Sequence, residues 1–152
     1  IAIGCHFEVP AEAICEALNG YIPSNNRSQL TETKDNHLIV DAYNANPTSM
    51  MAALENFRLM EVAHKVAILG DMKELGEGSV DEHRKIVSFL EGCGFERIIL
   101  VGDEFGKANS GFEWYKNTDD LKAKISEEKI SGKFVLIKGS NSMKLAPLKD
   151  IL

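Results

Sequence analysis

Cysteine is scarce in this sequence, and its spacing argues against the kinds of site that depend on it. Cys5, Cys15 and Cys93 are an odd number of cysteines, without C-x-x-C spacing and without a neighbouring pair of histidines. This pattern excludes a disulfide framework and a zinc site of the usual spacing. We expect all three thiols to be reduced, which predicts a reducing compartment such as the cytoplasm.

Excess positive charge, long apolar runs and glycine-rich phosphate loops are also missing. Seventeen Lys and Arg against 23 Asp and Glu give a net charge of -6, which argues against binding to a nucleic-acid phosphate backbone. The apolar runs are far shorter than the roughly 20 residues that a membrane span needs. Neither G-x-x-x-x-G-K-[ST] nor G-x-G-x-x-G occurs, so we do not expect the chain to hydrolyse ATP alone.

The 152 residues, 44% of them hydrophobic, suffice for one domain with a proper core. Four continuous apolar runs start about 30 residues apart, the length of one strand–helix unit, and continuous runs are typical of strands covered on both faces. They therefore predict a parallel sheet. The runs are HLIV at 37–40, VAIL at 66–69, RIILV at 97–101 and FVLI at 134–137.

Helix signals lie between these runs. Asn46 followed by Pro47 predicts a capped helix start, Ser79 with Glu82 predicts a capping box, and a third helix is expected to begin at Thr118. A last short helix is expected near residue 143. Together the elements predict a three-layer α/β/α fold with a mostly parallel, Rossmann-like sheet.

The first part of the chain has a different character. Residues 10–21 predict a helix with Pro10 near its start and Gly20 at its end. Residues 21–29 are polar and turn-rich, which is typical of a linker. Ile1 is not a start methionine and no signal peptide follows it, so we expect a cut end preceded by an adjoining domain.

Polar clusters follow each of the four predicted strands, where ligands bind in open parallel sheets. Acidic side chains there can accept hydrogen bonds from ribose hydroxyls, and a lysine can hold a carboxylate or phosphate. The clusters therefore indicate a nucleotide or an amino-acid carboxylate as ligand, although turn and cap roles are commoner for single Asp and Asn residues. His83 lies on an apolar stripe and is interpreted as a packed histidine rather than a base.

Three motifs carry a family resemblance: DAYNANPTSM at 41–50, LGDMKELG at 69–76 followed by Glu82 and His83, and KGSNSMKL at 138–145. In this order they closely resemble the carboxyl-terminal domain of the Mur ligases, and residues 16–28 resemble the family's junction between its central and last domains. The resemblance implies that 1–24 end the central ATPase domain and its linker, and that 25–152 form the carboxyl-terminal domain.

The resemblance implies an ATP-dependent amide-forming ligase of peptidoglycan synthesis, and so of cell-wall biogenesis, cell shape and division. Its branch would add D-alanyl-D-alanine to a UDP-muramoyl-tripeptide through an acyl-phosphate. The P-loop and the Mg²⁺ ligands would belong to the central domain, the rest of which would lie outside this chain together with an amino-terminal domain. The last domain would close over ATP and present the dipeptide, so we expect no catalytic and no metal-binding residue here.

The same resemblance assigns individual residues. Arg27 would approach the nucleotide phosphates or ribose, and Asp41 the ribose. The residues implied for ATP are Arg27, Asp41, Tyr43, Asn44 and Asn46. Those implied for the dipeptide are Asp71, Lys73, Glu74, Lys138, Ser140 and Asn141. Asn141 stands where the family usually has arginine and Ala146 where it has an acidic residue, so the chain departs from the pattern there.

Two other functions stay open at the level of sequence. Asp41, Asp71 and Lys138 end different predicted strands, as in a receiver-like phosphoacceptor, but Ala42 follows Asp41 where such a site has an acidic pair. A non-catalytic nucleotide-binding or interaction module is the second alternative.

Asp41 and Arg27 both lie outside the apolar stripes. This position predicts that substitution of either residue weakens the use of ATP more than it weakens folding.

Overall fold

The chain folds around a mixed, mostly parallel six-stranded sheet, in a computed structural model that describes residues 1–21, 29–109 and 111–152. The strand order is β1-β2-β6-β3-β4-β5, and every neighbouring pair is parallel except β1 with β2. The strands are β1 (Gln29–Glu32), β2 (His37–Asp41), β3 (Lys65–Gly70), β4 (Arg97–Val101), β5 (Glu113–Tyr115) and β6 (Phe134–Lys138).

Within the described ranges, six α-helices and three short 3₁₀ turns accompany the sheet. The helices are α1 (Ala2–His6), α2 (Ala11–Asn19), α3 (Pro47–Leu59), α4 (Ser79–Glu91), α5 (Asp103–Ala108) and α6 (Thr118–Glu127). The 3₁₀ turns are Gly76–Gly78, Asn141–Met143 and Ala146–Asp150. The last two occupy the region where one short helix was expected. None of the helices in the described ranges combines the length and the apolarity of a membrane span.

The four predicted strands are confirmed, and their side chains alternate between two apolar layers. In β3, for example, Val66 and Ile68 face one layer, whereas Ala67 and Leu69 face the other. The first layer includes α6 and the carboxyl-terminal 3₁₀ turn, and the second includes α3, α4 and α5. Because both faces of the sheet are covered, the strands are apolar throughout rather than alternating. The predicted three-layer α/β/α fold is confirmed.

Helix starts follow the predictions in two cases and differ in one. Asn46 caps α3, since its Oδ1 accepts the backbone N–H of Ser49 at 2.8 Å, and Pro47 is the first helical residue. The third helix begins at Thr118 as predicted. The capping box expected from Ser79 and Glu82 is wrong, because Gly78 is the N-cap residue and Ser79 already lies inside α4.

Residues 1–21 form two short helices. The predicted helix after Pro10 is confirmed as α2, whereas α1 was not predicted. Most of this segment is exposed, including Ile1, Ile3 and Phe7, and all three cysteines of the chain are free, as expected. Residues 22–28 are not described, so most of the linker predicted at 21–29 and the boundary at residue 24 lie outside the described residues and stay predictions. The end of the predicted linker at residue 29 is wrong, because Gln29 already belongs to β1.

Candidate functional site

The polar clusters predicted to follow the strands meet at one edge of the sheet. β2, β6, β3 and β4 are parallel neighbours, and the register sets Asp41 beside Lys138 and Gly70 beside Val101. The segments after these strands therefore start side by side. This carboxyl edge is the surface where open parallel sheets bind ligands.

Asp41 and Lys138, the last residues of β2 and β6, form an ion pair. Lys138 Nζ lies 2.5 Å from Asp41 Oδ2 and 3.4 Å from the carbonyl oxygen of Asn44. The lysine is 1% exposed, whereas the Asp41 side chain is 17% exposed. A buried ammonium needs such a partner because an unpaired charge is costly to bury. The Asp41 carboxylate thus compensates Lys138, and its side chain is partly exposed to solvent.

The segment after β2 presents side chains toward solvent. Tyr43 and Asn44 are exposed, and Asn46 uses its side chain to cap α3. Asn44 also accepts the hydrogen bond from Lys138 through its backbone carbonyl. The start of α3 is therefore fixed to β6 as well as to β2.

The segment after β3 contains one buried and two exposed site candidates. Asp71 is 0% exposed, and Oδ1 accepts the backbone N–H of Phe105 at 3.0 Å while Oδ2 accepts that of Glu104 at 3.2 Å. Lys73 Nζ lies 3.1 Å from Asp71 Oδ2 and is partly exposed. Glu74 is exposed with a φ of 66°. The structure therefore presents Lys73 and Glu74, rather than Asp71, to solvent.

His83 is buried beneath this segment, in agreement with its interpretation as a packed histidine. Its Nδ1 lies 2.6 Å from the Ser79 carbonyl oxygen, and its Nε2 lies 3.0 Å from the backbone nitrogen of Met72. A carbonyl only accepts and a backbone N–H only donates, so Nδ1 carries the proton and Nε2 does not. The ring is neutral, and its 3.8 Å approach to Asp71 is not an ion pair.

Six of the predicted site residues line one cavity of about 210 Å³ at the carboxyl edge. Ser140 belongs to it and is fixed, because its Oγ accepts the Lys73 backbone N–H at 2.9 Å. Residues implied for ATP and residues implied for the dipeptide thus share one surface. The six are Tyr43, Asn44, Lys73, Glu74, Ser140 and Asn141. Asp71 and Lys138 direct their polar atoms at protein partners, so their direct contact with a substrate stays a prediction.

A neighbouring cavity of about 360 Å³ adds residues that the sequence did not single out. These residues include Lys116 and Lys122, and they line the cavity together with Asp71, Lys73 and Lys144 of the motif segments. Lys116 follows β5, a strand too short to leave an apolar run, so no sequence signal placed it at this edge. Glu104 lies nearby, and the Lys107 ammonium that it bonds at 2.6 Å lowers the pKa of the Glu104 carboxyl. These charges make the edge mixed rather than uniformly acidic.

A larger cavity, of about 410 Å³, lies at the opposite end of the sheet. Thr33, Lys34 and Lys129 are among its lining residues. Of the residues predicted for ATP or for the dipeptide that the structure describes, none lines it. Cavity size alone would favour this end, but the candidate chemistry lies at the carboxyl edge.

The fit to ATP and Mg²⁺ is partial. The Asp41 side chain is 17% exposed, which suits a hydrogen bond from a ribose hydroxyl, but Arg27, implied for the nucleotide, lies outside the described residues. Within residues 1–21, 29–109 and 111–152, no group of three His, Cys, Asp or Glu side chains could hold a metal ion. The described part of the chain thus suits one side of a nucleotide but supplies no metal-ligand cluster.

Comparison with known proteins identifies what this arrangement is similar to. A family profile described as "Mur ligase, glutamate ligase domain" matches residues 26–141. The UDP-N-acetylmuramoyl-tripeptide–D-alanyl-D-alanine ligase of Treponema pallidum is 30% identical over 161 aligned positions, which cover 100% of this chain and 35% of that protein.

Solved structures agree with the sequence comparison. The crystal structure of MurF from Acinetobacter baumannii superposes with a TM-score of 0.80 at 26% identity, over 98% of this chain and 34% of that one. MurF from Thermotoga maritima, solved in complex with ADP, gives a TM-score of 0.72 at 20% identity, over 91% of this chain and 35% of that one, which is a likeness of fold. The chain therefore spans about a third of the length of each of these proteins.

Proposed function

The chain belongs to the Mur ligase family, and we propose that it is the carboxyl-terminal domain of an ATP-dependent ligase that joins D-alanyl-D-alanine to a UDP-muramoyl-tripeptide. The observation that carries the proposal is the 210 Å³ cavity, which gathers seven residues of the three family motifs at the carboxyl edge. Exposed Lys73 and the amides of Asn44 and Asn141 suit a small molecule with a carboxylate and peptide groups. The receiver-like alternative is not supported, because Asp71 is buried and its oxygens are already hydrogen-bonded.

The remaining partners follow from the same proposal. ATP would meet this domain at Asp41 and Arg27, and Mg²⁺ would be held mainly by the part of the central domain that lies outside this chain. Residues 1–24 would end that central domain, and 25–152 would form the carboxyl-terminal domain. The protein would act in the cytoplasm, the compartment that holds ATP and nucleotide-linked precursors, in peptidoglycan synthesis.

The experiment is an assay of the full-length protein with ATP, UDP-muramoyl-tripeptide and D-alanyl-D-alanine, followed by mass spectrometry. We expect one dipeptide to be joined to the tripeptide for each ADP formed. The matched control replaces the dipeptide with glutamate, the amino acid in the family description. Exclusive use of glutamate, or ADP formation without an amide product, would contradict the proposal.

A further inference from the structure

The segment after β3 is held by its backbone to three different elements. Three consecutive residues each donate their N–H to a different acceptor, in β4, in α4 and just after β6. The bonds are Asp71 N–H to the Val101 carbonyl at 3.0 Å, Met72 N–H to His83 Nε2 at 3.0 Å and Lys73 N–H to Ser140 Oγ at 2.9 Å. The segment cannot shift relative to any of these elements without losing a hydrogen bond.

The Asp71 side chain is fixed just as firmly. Its two oxygens accept the backbone N–H groups at the start of α5, and the carboxylate is fully buried. Oδ2 also accepts a hydrogen bond from the Lys73 ammonium at 3.1 Å. Lys73 is the member of this pair that reaches solvent, with 46% of its side chain exposed. A buried carboxylate that is hydrogen-bonded to the backbone of α5 therefore sets where a solvent-facing ammonium lies.

Gly102 makes room for the carboxylate. A Cβ atom at this position would lie 2.3–2.4 Å from the carboxylate atoms of Asp71, and the φ of Gly102 is 119°. Both the space and the backbone conformation thus require glycine here. The Asp71 carboxylate therefore fits beside the end of β4 because residue 102 has no side chain.

His83 also holds the segment after β3, from the side of α4. As the neutral Nδ1–H tautomer it bonds Ser79 within α4 and accepts the Met72 N–H across to the segment after β3. The Phe105 ring packs edge-on against the imidazole, with the ring centroids 4.6 Å apart. The imidazole therefore lies between α4, α5 and the segment that presents Lys73.

We propose that Asp71 and His83 are positioning residues, which hold the Lys73 ammonium in place for an anionic group of the substrate. A free lysine side chain loses rotamer entropy when it binds an anion. A lysine that is already held in position loses less of this entropy on binding, so it binds the anion more tightly. This inference rests on the proposed function, with the carboxylate of D-alanyl-D-alanine as the anionic group. It assigns Asp71 an indirect role, through Lys73, in place of direct contact.

The test is a double-mutant cycle in the full-length ligase, with steady-state kinetics for D-alanyl-D-alanine. Asp71→Asn should raise KM for the dipeptide about tenfold, because the charged anchor of Lys73 is lost. In a Lys73→Met background the same substitution should change KM by less than about twofold, because the group through which it acts is gone. Asp81→Asn is the matched control, since Asp81 also pairs with a cation, Arg84, but on the exposed face of α4.

A merely structural role gives a different result. Asp71→Asn would then lower the folded fraction, and so kcat, equally in both backgrounds, with KM unchanged, and this outcome would overturn the inference. A wild-type enzyme that does not join the dipeptide at all would instead overturn the proposed function.

His83 provides a second route if Asp71→Asn does not fold. His83→Gln keeps an acceptor for the Met72 N–H and should leave KM for the dipeptide within about threefold, whereas His83→Leu should raise it about tenfold. Nitrogen NMR of the wild-type imidazole should show a protonated Nδ1 and an unprotonated Nε2. A protonated Nε2, or equal KM values for the two variants, would contradict the role of His83.

Discussion

At the scale of single residues, the candidate site depends on buried charges that face protein partners. Lys138 is almost fully buried and its ammonium is paired with Asp41. The sequence indicated that each residue ends a strand, but it did not show that the two strands are neighbours. The pairing depends on β6 inserting between β2 and β3, which local patterns do not specify. The ion pair gives Asp41 a part in stability as well, and the expectation that its substitution weakens ATP use more than folding stays a prediction.

We predict that Asp41→Ala destabilises the fold more than Lys138→Met. Removing Asp41 leaves a buried ammonium without its anion, which costs about 3 kcal/mol. Removing Lys138 leaves a carboxylate that reaches water, and should cost about 1 kcal/mol. Urea unfolding of the two variants and of the double variant measures this asymmetry. Equal costs would show that the buried ammonium is compensated in another way.

Gly102 provides a second prediction at this scale. Gly102→Ala should destabilise the protein by about 2 kcal/mol more than Gly111→Ala, because its Cβ would overlap the Asp71 carboxylate. Gly111 is the matched control, since its φ of 133° is similarly unfavourable for alanine but its Cβ would meet nothing within 4 Å. Thermal unfolding of both variants tests this difference. Similar losses would mean that backbone conformation alone requires glycine at 102.

At the scale of elements, long apolar patterns were predictable and short edge elements were not. β2, β3, β4 and β6 leave apolar runs because both of their faces are covered. β1 was missed because it is a four-residue edge strand with Leu30 exposed, and β5 because it has only three residues. α5 has six residues and starts directly after a strand, so no helical periodicity could develop.

The start of α3 follows Tyr43 and Asn44, two residues that line the candidate site, and Asn46 caps the helix. Asn46→Ala should cost about 1 kcal/mol in stability, because its side chain caps the helix, whereas Asn46→Asp keeps an acceptor and should cost less than about half of that. Urea unfolding measures both values. If Asn46→Asp were as destabilising as Asn46→Ala, the stability would depend on something other than the cap.

The sequence predicted which residues lie at the candidate site, but it did not predict which of them are buried and which are exposed. The motifs named Lys73, Ser140 and Asn141, and the structure brings them together with Tyr43 and Asn44 in one cavity. That Asp71 is buried and Lys73 exposed follows from the tertiary contacts of α5, a helix that the sequence did not reveal. His83 was recognised as packed, but its hydrogen bond to Met72 depends on tertiary structure.

At the scale of the whole molecule, the two ends of the sheet differ in what they offer a ligand. The amino end has the cavity of about 410 Å³, with Lys34, Lys129 and Lys149 among its lining residues. The carboxyl edge has smaller cavities, but they contain the residues of the three motifs. In a longer ligase, the remaining domains would have to close over the carboxyl edge to bring a second substrate to Lys73. The central claim is therefore that the dipeptide binds at this edge.

One comparison of lysine variants in the full-length protein tests this claim most directly. Lys73→Met removes a cation from the carboxyl edge, and Lys129→Met removes one from the amino-end cavity. We predict that Lys73→Met raises KM for D-alanyl-D-alanine by about tenfold or more, while Lys129→Met changes it by less than about twofold. A rise in KM for Lys129→Met with an unchanged value for Lys73→Met would contradict the account.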